Sequence, residues 1–269
     1  MPDPVFPGGP GPAAAGGQAS RVVPPGGSRV LVAVAHGSKD PRASATVAEL
    51  AAVATERSPG LDLRTAFLGH APPSLPQVLS TIEADRAVTV LPLLLTAAFH
   101  SKADIPRMLA RVARPGVSYG DTLGPHPLLL DALDRRLAEA DPGAHADPGR
   151  TAVVLAAAGS SDPEANATIA RLAAQWQARA GWHAVRPAYA SAAAPSPAAA
   201  VASLLRDGAP RVAVATYLLA PGLFADRIRD VSLAAGAAAV SPALGACAEV
   251  ADVLLERFAE IGSTRRTAA

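Results

Sequence analysis

The sequence predicts an α/β protein built of two similar doubly wound parallel-sheet domains that face each other across a cleft. Short apolar runs of strand length alternate with segments whose apolar residues recur every three to four positions, the spacing of one helix face. The runs are continuously apolar, as in strands of a parallel sheet covered by helices on both sides. The same succession of unlike residues then appears twice. Leu31-Val-Ala-Val-Ala-His-Gly-Ser-Lys-Asp-Pro41 matches Val153-Val-Leu-Ala-Ala-Ala-Gly-Ser-Ser-Asp-Pro163 at an offset of 122 residues. At that offset Arg64, Phe67, Pro73 and Ser74 meet Arg186, Tyr189, Pro195 and Ser196, and residues 88–95 pair with 212–219 at an offset of 124.

Taken in order, residues 1–27 are dominated by Pro, Gly and Ala with almost no bulky apolar groups, and a disordered tail is expected there. The first domain is placed at 28–140. Its first strand, 30–35, is closed by His36-Gly37, and Val47, Leu50, Ala51 and Ala54 mark the helix that follows. Residues 61–68, 88–95 and 117–119 read as later strands, with helices near 74–84 and 103–113 and a closing helix near 127–140. Pro, Gly and Asp cluster at 141–149, a predicted linker. The repeat occupies 150–262, and 263–269 are expected to fray.

Composition removes several function classes. A formal net charge of +1 gives no global attraction to nucleic acid or to a membrane surface, so neither is an expected partner. No apolar run approaches the about 20 residues of a membrane helix. The N-terminus lacks the pattern of a secretory signal, which makes a cytoplasmic location the expectation. Cys247 is the only cysteine, excluding an intrachain disulfide, a thiolate zinc cluster and an iron–sulfur site held by this chain alone; it reads as a small buried hydrophobe. A metal acting here must therefore be met by histidine or carboxylate.

In open α/β sheets ligands bind at the carboxyl ends of the strands. His36 directly follows the first strand, in His36-Gly37-Ser38-Lys39-Asp40-Pro41, and His100 follows the third, in Phe99-His100-Ser101-Lys102-Ala103-Asp104-Ile105-Pro106. Doubly wound topology commonly makes these strands neighbours, which would bring both imidazoles over one edge of the sheet. Neutral imidazole binds Fe, Co, Ni or Zn and also accepts protons. Each histidine could instead satisfy a loop carbonyl, and composition and spacing do not choose between these roles.

The pattern resembles a known family. A first strand ending in His36-Gly37-Ser38, a third followed by His100 and Asp104-Ile105-Pro106, and Leu68-Gly-His-Ala-Pro-Pro-Ser-Leu75 after the second strand are together similar to the sirohydrochlorin chelatase (CbiX-like) family of class II tetrapyrrole chelatases, in its long two-domain form. The resemblance covers roughly residues 28–262. It implies insertion of a divalent metal, Co2+ or Fe2+, into sirohydrochlorin or a close relative, in cobalamin or siroheme synthesis. The metal is then a substrate, with no tightly bound cofactor, and His36 and His100 are implied to hold it and help deprotonate the macrocycle. The repeat departs from this pattern: Ala158 stands where His36 recurs and Phe224 stands opposite His100, so one site per chain is expected, with the second domain as wall and substrate platform.

A tetrapyrrole with eight carboxylates calls for cations, and Lys39, Arg42, Lys102 and Arg107 flank the two histidines. Ser38 is read as orienting His36, binding a carboxylate or capping the next helix. Asp104 reads as a helix N-cap with Pro106 in the first turn. His70 sits on the same rim, as a third ligand, a substrate-binding group or a loop residue. His126, in Gly124-Pro-His-Pro127, reads as turn chemistry, and His145 and His183 as structural or solvated. Three other classes compete with a chelatase. A binding module delivering metal or tetrapyrrole needs the same site without turnover. A metallohydrolase needs more carboxylates than Asp40 and Asp104, and a nucleotide-binding fold needs a Gly-rich loop after its first strand, where His36-Gly37-Ser38 stands. Both monomer and homodimer are compatible with the sequence.

Overall fold

The structure is a computed structural model that describes residues 29–97 and 100–267; the side chains of His100 and of 263–267 lie outside the description, as does the tail expected at 1–27. In the first half β1 (Val30–Ala35), α1 (Pro41–Arg57), β2 (Leu63–Phe67), α2 (Leu75–Ser80), β3 (Val88–Pro92), α3 (Ile105–Val112), β4 (Val117–Tyr119) and α4 (Pro127–Ala140) follow in order. The second half holds α5 (Pro142–Ala146), β5 (Thr151–Ala157), α6 (Pro163–Ala180), β6 (Ala184–Tyr189), α7 (Pro197–Arg206), β7 (Arg211–Tyr217), α8 (Leu223–Ala234), β8 (Ala239–Val240) and α9 (Ala248–Thr267). Each half forms a four-stranded parallel sheet, in the orders β2-β1-β3-β4 and β6-β5-β7-β8. The strand order is the same in both, as the repeat requires.

Alternation along the central strands sorts side chains into three cores. Val30, Val32 and Val34 pack outward with Leu75, Leu79 and Ile105, while Ala152, Val154 and Ala156 do the same with Val201, Leu204 and Ile228. Leu31, Ala33 and Ala35 point the other way, into a core that also contains Val153, Leu155 and Ala157 of the second sheet. One hydrophobic core therefore belongs to both halves. It is closed by an exchange of helices: α4, from the first half, packs on β7, and α9, from the second, packs on α1, α4 and β3. Leu129, Leu133 and Leu137 of α4 and Val250, Leu254 and Phe258 of α9 are buried in it.

Residues 141–149, read from the sequence as a linker, are instead helical. Two Asp-Pro pairs explain this, because Pro needs no donor at the first helical position, and Asp141 in addition accepts from an early helix N–H. Asp141 accepts from the Gly143 amide at 3.1 Å at the start of α5, and Asp147-Pro148 starts a short 3-10 turn. Asp141 is buried and paired with Arg211, which fixes this corner to β7. The backbone of α9 stays helical to Thr267, beyond the 263–269 segment expected to fray. No described helix is long and apolar enough to cross a membrane.

Candidate functional site

The chain leaves each sheet at the carboxyl ends of its strands, and those ends face one another. In the first sheet β1 lies between β2 and β3, with Ala35 opposite Phe67 and Val34 opposite Pro92. The ends of β1, β3, β5 and β7 enclose a cleft of about 480 Å³, walled by His36, Ser38 and Leu95 on one side and Ala158, Tyr217 and Phe224 on the other. The Tyr217 hydroxyl donates to the Leu95 carbonyl at 3.2 Å across the floor, and burial pushes its pKa up.

The turn after β1 is set by a glycine. Gly37 has φ +87, and a Cβ there would stand 1.7 Å from the Gly69 carbonyl oxygen, so only glycine lets the two loops touch. The Gly69 amide donates to the His36 carbonyl at 3.2 Å. The second half repeats the device, with Gly159 at φ +84 and its absent Cβ 2.0 Å from the Ser191 oxygen. His70 and its counterpart Ala192 both have left-handed backbone, φ 62 and φ 57. The turn is thus a property of the fold, and the first half alone fills it with imidazole.

His36 is exposed on the rim of the cleft, with the His70 ring centre 6.3 Å from its own and the planes at 64°. Two imidazoles sharing one ion through metal–nitrogen bonds of about 2.0–2.1 Å have ring centres roughly 5 Å apart at a tetrahedral angle and about 6.4 Å apart on opposite sides of the ion. This spacing would place the two rings nearly opposite each other. Among the described residues no three His, Cys, Asp or Glu are grouped to hold a metal, so further ligands would come from elsewhere, the substrate included. The expected meeting of His36 with the His100 imidazole lies outside the described residues.

The backbone at His100 opens a π-helical turn, His100–Asp104, that runs into α3. Such turns recur at functional sites. The reading of Asp104 as an N-cap is corrected here: Asp104 has helical φ −68 and ψ −49 and its side chain makes no capping bond, because the helical turn starts four residues earlier. Tyr119, from β4, holds the turn by donating to the Ser101 carbonyl at 2.9 Å; burial raises its pKa to about 12. Sequence reasoning missed Tyr119, since nothing in its surroundings signals a partner 18 residues away.

Of the roles read for Ser38, capping of the next helix falls instead to Asp40, and the Ser38 hydroxyl braces the loop before it. Ser38 Oγ accepts from the Asp40 amide at 3.0 Å, while Asp40 caps α1 by accepting from the Arg42 amide at 2.9 Å. Ser160 and Asp162 repeat both bonds ahead of α6. Two of the four flanking cations meet carboxylates of the other half: Arg42 pairs with Asp40 and Asp226 at 2.6 Å each, and Lys102 with Asp162 at 2.8 Å. These partners hold the Asp40, Asp226 and Asp162 carboxyls below the usual carboxylate range. Lys39 is exposed in the loop after β1, and Arg107 is exposed on α3.

The other histidines lie away from the cleft lining. His126 caps α4 through Nδ1, which accepts from the Leu128 amide at 3.3 Å, and its Nε2 lies 3.1 Å from Glu256. His145 packs edge-on against Trp182, His183 Nδ1 lies 3.2 Å from the Gly149 carbonyl, and Cys247 is a buried free thiol.

Two equivalent parallel α/β lobes, with strand ends opposed across one cleft and imidazole on one rim alone, define a bilobal α/β class. The CbiX family model matches residues 30–140 and 152–261, and the chain belongs to that family. It is 28% identical over 204 residues to a sirohydrochlorin cobaltochelatase of Priestia megaterium, covering 74% of this chain and 66% of the relative. A sirohydrochlorin ferrochelatase of the same organism is 28% identical over 170 residues, covering 61% of this chain and 63% of that protein. The chain thus spans just under two thirds of the length of these relatives. Among solved structures, SirB from Bacillus subtilis with Fe3+ superposes with a TM-score of 0.76 at 25% identity, covering 87% of this chain and 95% of that one.

Proposed function

We propose that this protein is a chelatase that inserts Co2+ or Fe2+ into sirohydrochlorin or a closely related tetrapyrrole. The observation that carries the reading is His36 at the end of β1, on the rim of a cleft whose opposite wall bears Ala158 at the equivalent place. Metallation exchanges two pyrrole N–H protons for one divalent ion. Both protons must leave while the metal arrives, and a rim imidazole whose lone pair can bind either a metal or a proton serves both needs.

In this mechanism the macrocycle enters the cleft with one face towards His36 and the other against the apolar wall around Phe224. The metal is substrate, held by His36 and His100, with His70 as a third ligand or as a rim group for a substrate carboxylate. As the ring nitrogens take the ion, their protons pass to the released imidazoles and on to water. Holding ring and metal together converts encounter into a positioned step. Ser38 keeps the His36 loop in shape, and Lys39 and Arg107, with Arg42 and Lys102, supply positive charge for the peripheral carboxylates. One chain provides both walls, so a single chain is the working unit, in keeping with a cytoplasmic biosynthetic role in siroheme or cobalamin formation.

The test is to mix purified protein with sirohydrochlorin and cobalt or ferrous ion without oxygen and to follow the macrocycle's absorbance. His36→Ala and His100→Ala are each expected to lower enzyme-dependent metallation at least about tenfold, and His183→Ala to leave it nearly unchanged. Equal rates in all three would remove the site assignment. Binding of both substrates without turnover would favour a delivery protein instead.

A further inference from the structure

The ion pairs between the halves obey the internal repeat. Lys102, just after β3, meets Asp162, just after β5, at 2.8 Å. Moving each by its repeat offset, Asp162 corresponds to Asp40 and Lys102 to Asp226. Those two also face each other, and Arg42 joins them at 2.6 Å to each. A contact in which element i of one half meets j of the other, and j meets i, is the signature of a twofold arrangement. The two contacts therefore stand on opposite flanks of the same cleft, whose lining includes Ser38, Ser160 and Ala225, close in sequence to both. The charges compensate: Asp226 replaces the lysine, and Arg42 stands where the second half has Glu164.

From this we infer that Asp162 and Asp226 are stand-in carboxylates, which hold Lys102 and Arg42 across the closed cleft until carboxylates of a polyanionic macrocycle take their place. The inference rests on the tetrapyrrole reading above and adds how that substrate enters. A flat ring seated between two lobes must pass contacts that span both flanks. Exposed ion pairs are weak, so exchanging one carboxylate for another costs little. Exchange also leaves each cation fully paired, whereas opening without substrate leaves Lys102 with water and Arg42 with Asp40 of its own half alone. Selectivity follows from the same geometry. A macrocycle with carboxylates around its rim releases both clasps, and an esterified one releases neither.

The probe is uroporphyrin, an octacarboxylate macrocycle, titrated into the full chain and followed by its fluorescence, which reads binding and needs no metallation. Asp162→Asn keeps the helix cap and frees Lys102; Asp226→Asn frees Arg42 from the second half. Each is expected to tighten binding about two- to five-fold, and together nearly multiplicatively. Glu164→Gln removes a neighbouring charge that pairs with Arg171 and is expected to change little. In a Lys102→Gln background the gain from Asp162→Asn should vanish. The idea is overturned if Asp162→Asn and Asp226→Asn leave binding unchanged or weaker, if Glu164→Gln matches them, if the gain persists without Lys102, or if neither the wild type nor the double variant binds. Because no step depends on His36 or His100, such a failure is separable from failure of the metallation assay.

Discussion

Replacing Gly37 with alanine should damage the molecule more than the same change at Gly60, although both glycines have φ +87. That backbone costs an L-residue about 1–2 kcal/mol, and the cost is common to both sites. They differ in space: nothing lies within 4 Å of a Cβ at Gly60, whereas at Gly37 the Gly69 oxygen would be 1.7 Å away. The loop carrying His70 must then retreat. The bonds at stake run from the Gly69 amide to His36 (3.2 Å) and from the Ala71 amide to Gly69 (2.8 Å). At about 1 kcal/mol for each bond, Gly37→Ala should lose about 2 kcal/mol more than Gly60→Ala. For a chain of this size that is a further drop of about 4–8 °C in Tm, read by circular dichroism. Displacing the rim imidazoles by about an ångström should also cut metallation by about 10- to 100-fold, with Gly60→Ala near wild type. Equal losses of Tm in the two variants would show that the loop yields freely and that the glycine does not hold the two histidine-bearing turns together.

Because one core spans both halves, they should unfold together. Leu79 is buried in the outer core of the first half, and Trp176 and Trp182, the only tryptophans, are buried in the second. Leu79→Ala should cost about 2–5 kcal/mol, and tryptophan fluorescence should report the whole of it; an unmoved fluorescence midpoint would mean independent halves. The Asp62 carboxyl is held below its ordinary 3.8 by hydrogen bonds from Arg64 and, secondarily, Arg86. A lowered folded-state pKa contributes stability that is full above 3.8 and lost as pH falls through the folded value. Asp62→Asn should therefore melt earlier than wild type at pH 6, with the gap closing towards pH 3; a constant gap would show that the charge is not what matters.

The sheets and the rim were legible for a local reason: a continuous apolar run marks a central strand, and a glycine after it marks a turn, wherever the rest of the chain goes. The carboxyl ends of β1 and β3 could be placed side by side from strand order alone. Partners far along the chain could not. The apolar stripes of α4 and α9 announce burial but do not say against which sheet, so their exchange between halves has no signature in the sequence. Arg42 and Lys102 were visible as positive charge near the histidines, while their carboxylates lie 184 and 60 residues away. Asp104 misled because Asp before Ile-Pro has the chemistry of a cap, and only the backbone shows the turn starting at His100. The helical corner at 141–149 was present in its two Asp-Pro pairs, outweighed by the Gly and Pro content around them.

Fusion of two similar halves explains why the site is lopsided. A symmetric pair of identical chains must carry every rim residue twice, so a cation on one wall is necessarily matched by the same cation on the other. Within one chain the walls can differ, and the differences run in one direction. His36, His70, Arg42 and Lys102 in the first half correspond to Ala158, Ala192, Glu164 and Asp226 in the second. The first wall is thereby cationic and imidazole-bearing, while the second is apolar at its centre and acidic on its flanks. A flat ligand with an anionic rim can satisfy the first wall through its edge and the second through its face. On the proposed reading, a metal approaching the same cleft would find imidazole on one side alone, so ring and ion would meet at a single face.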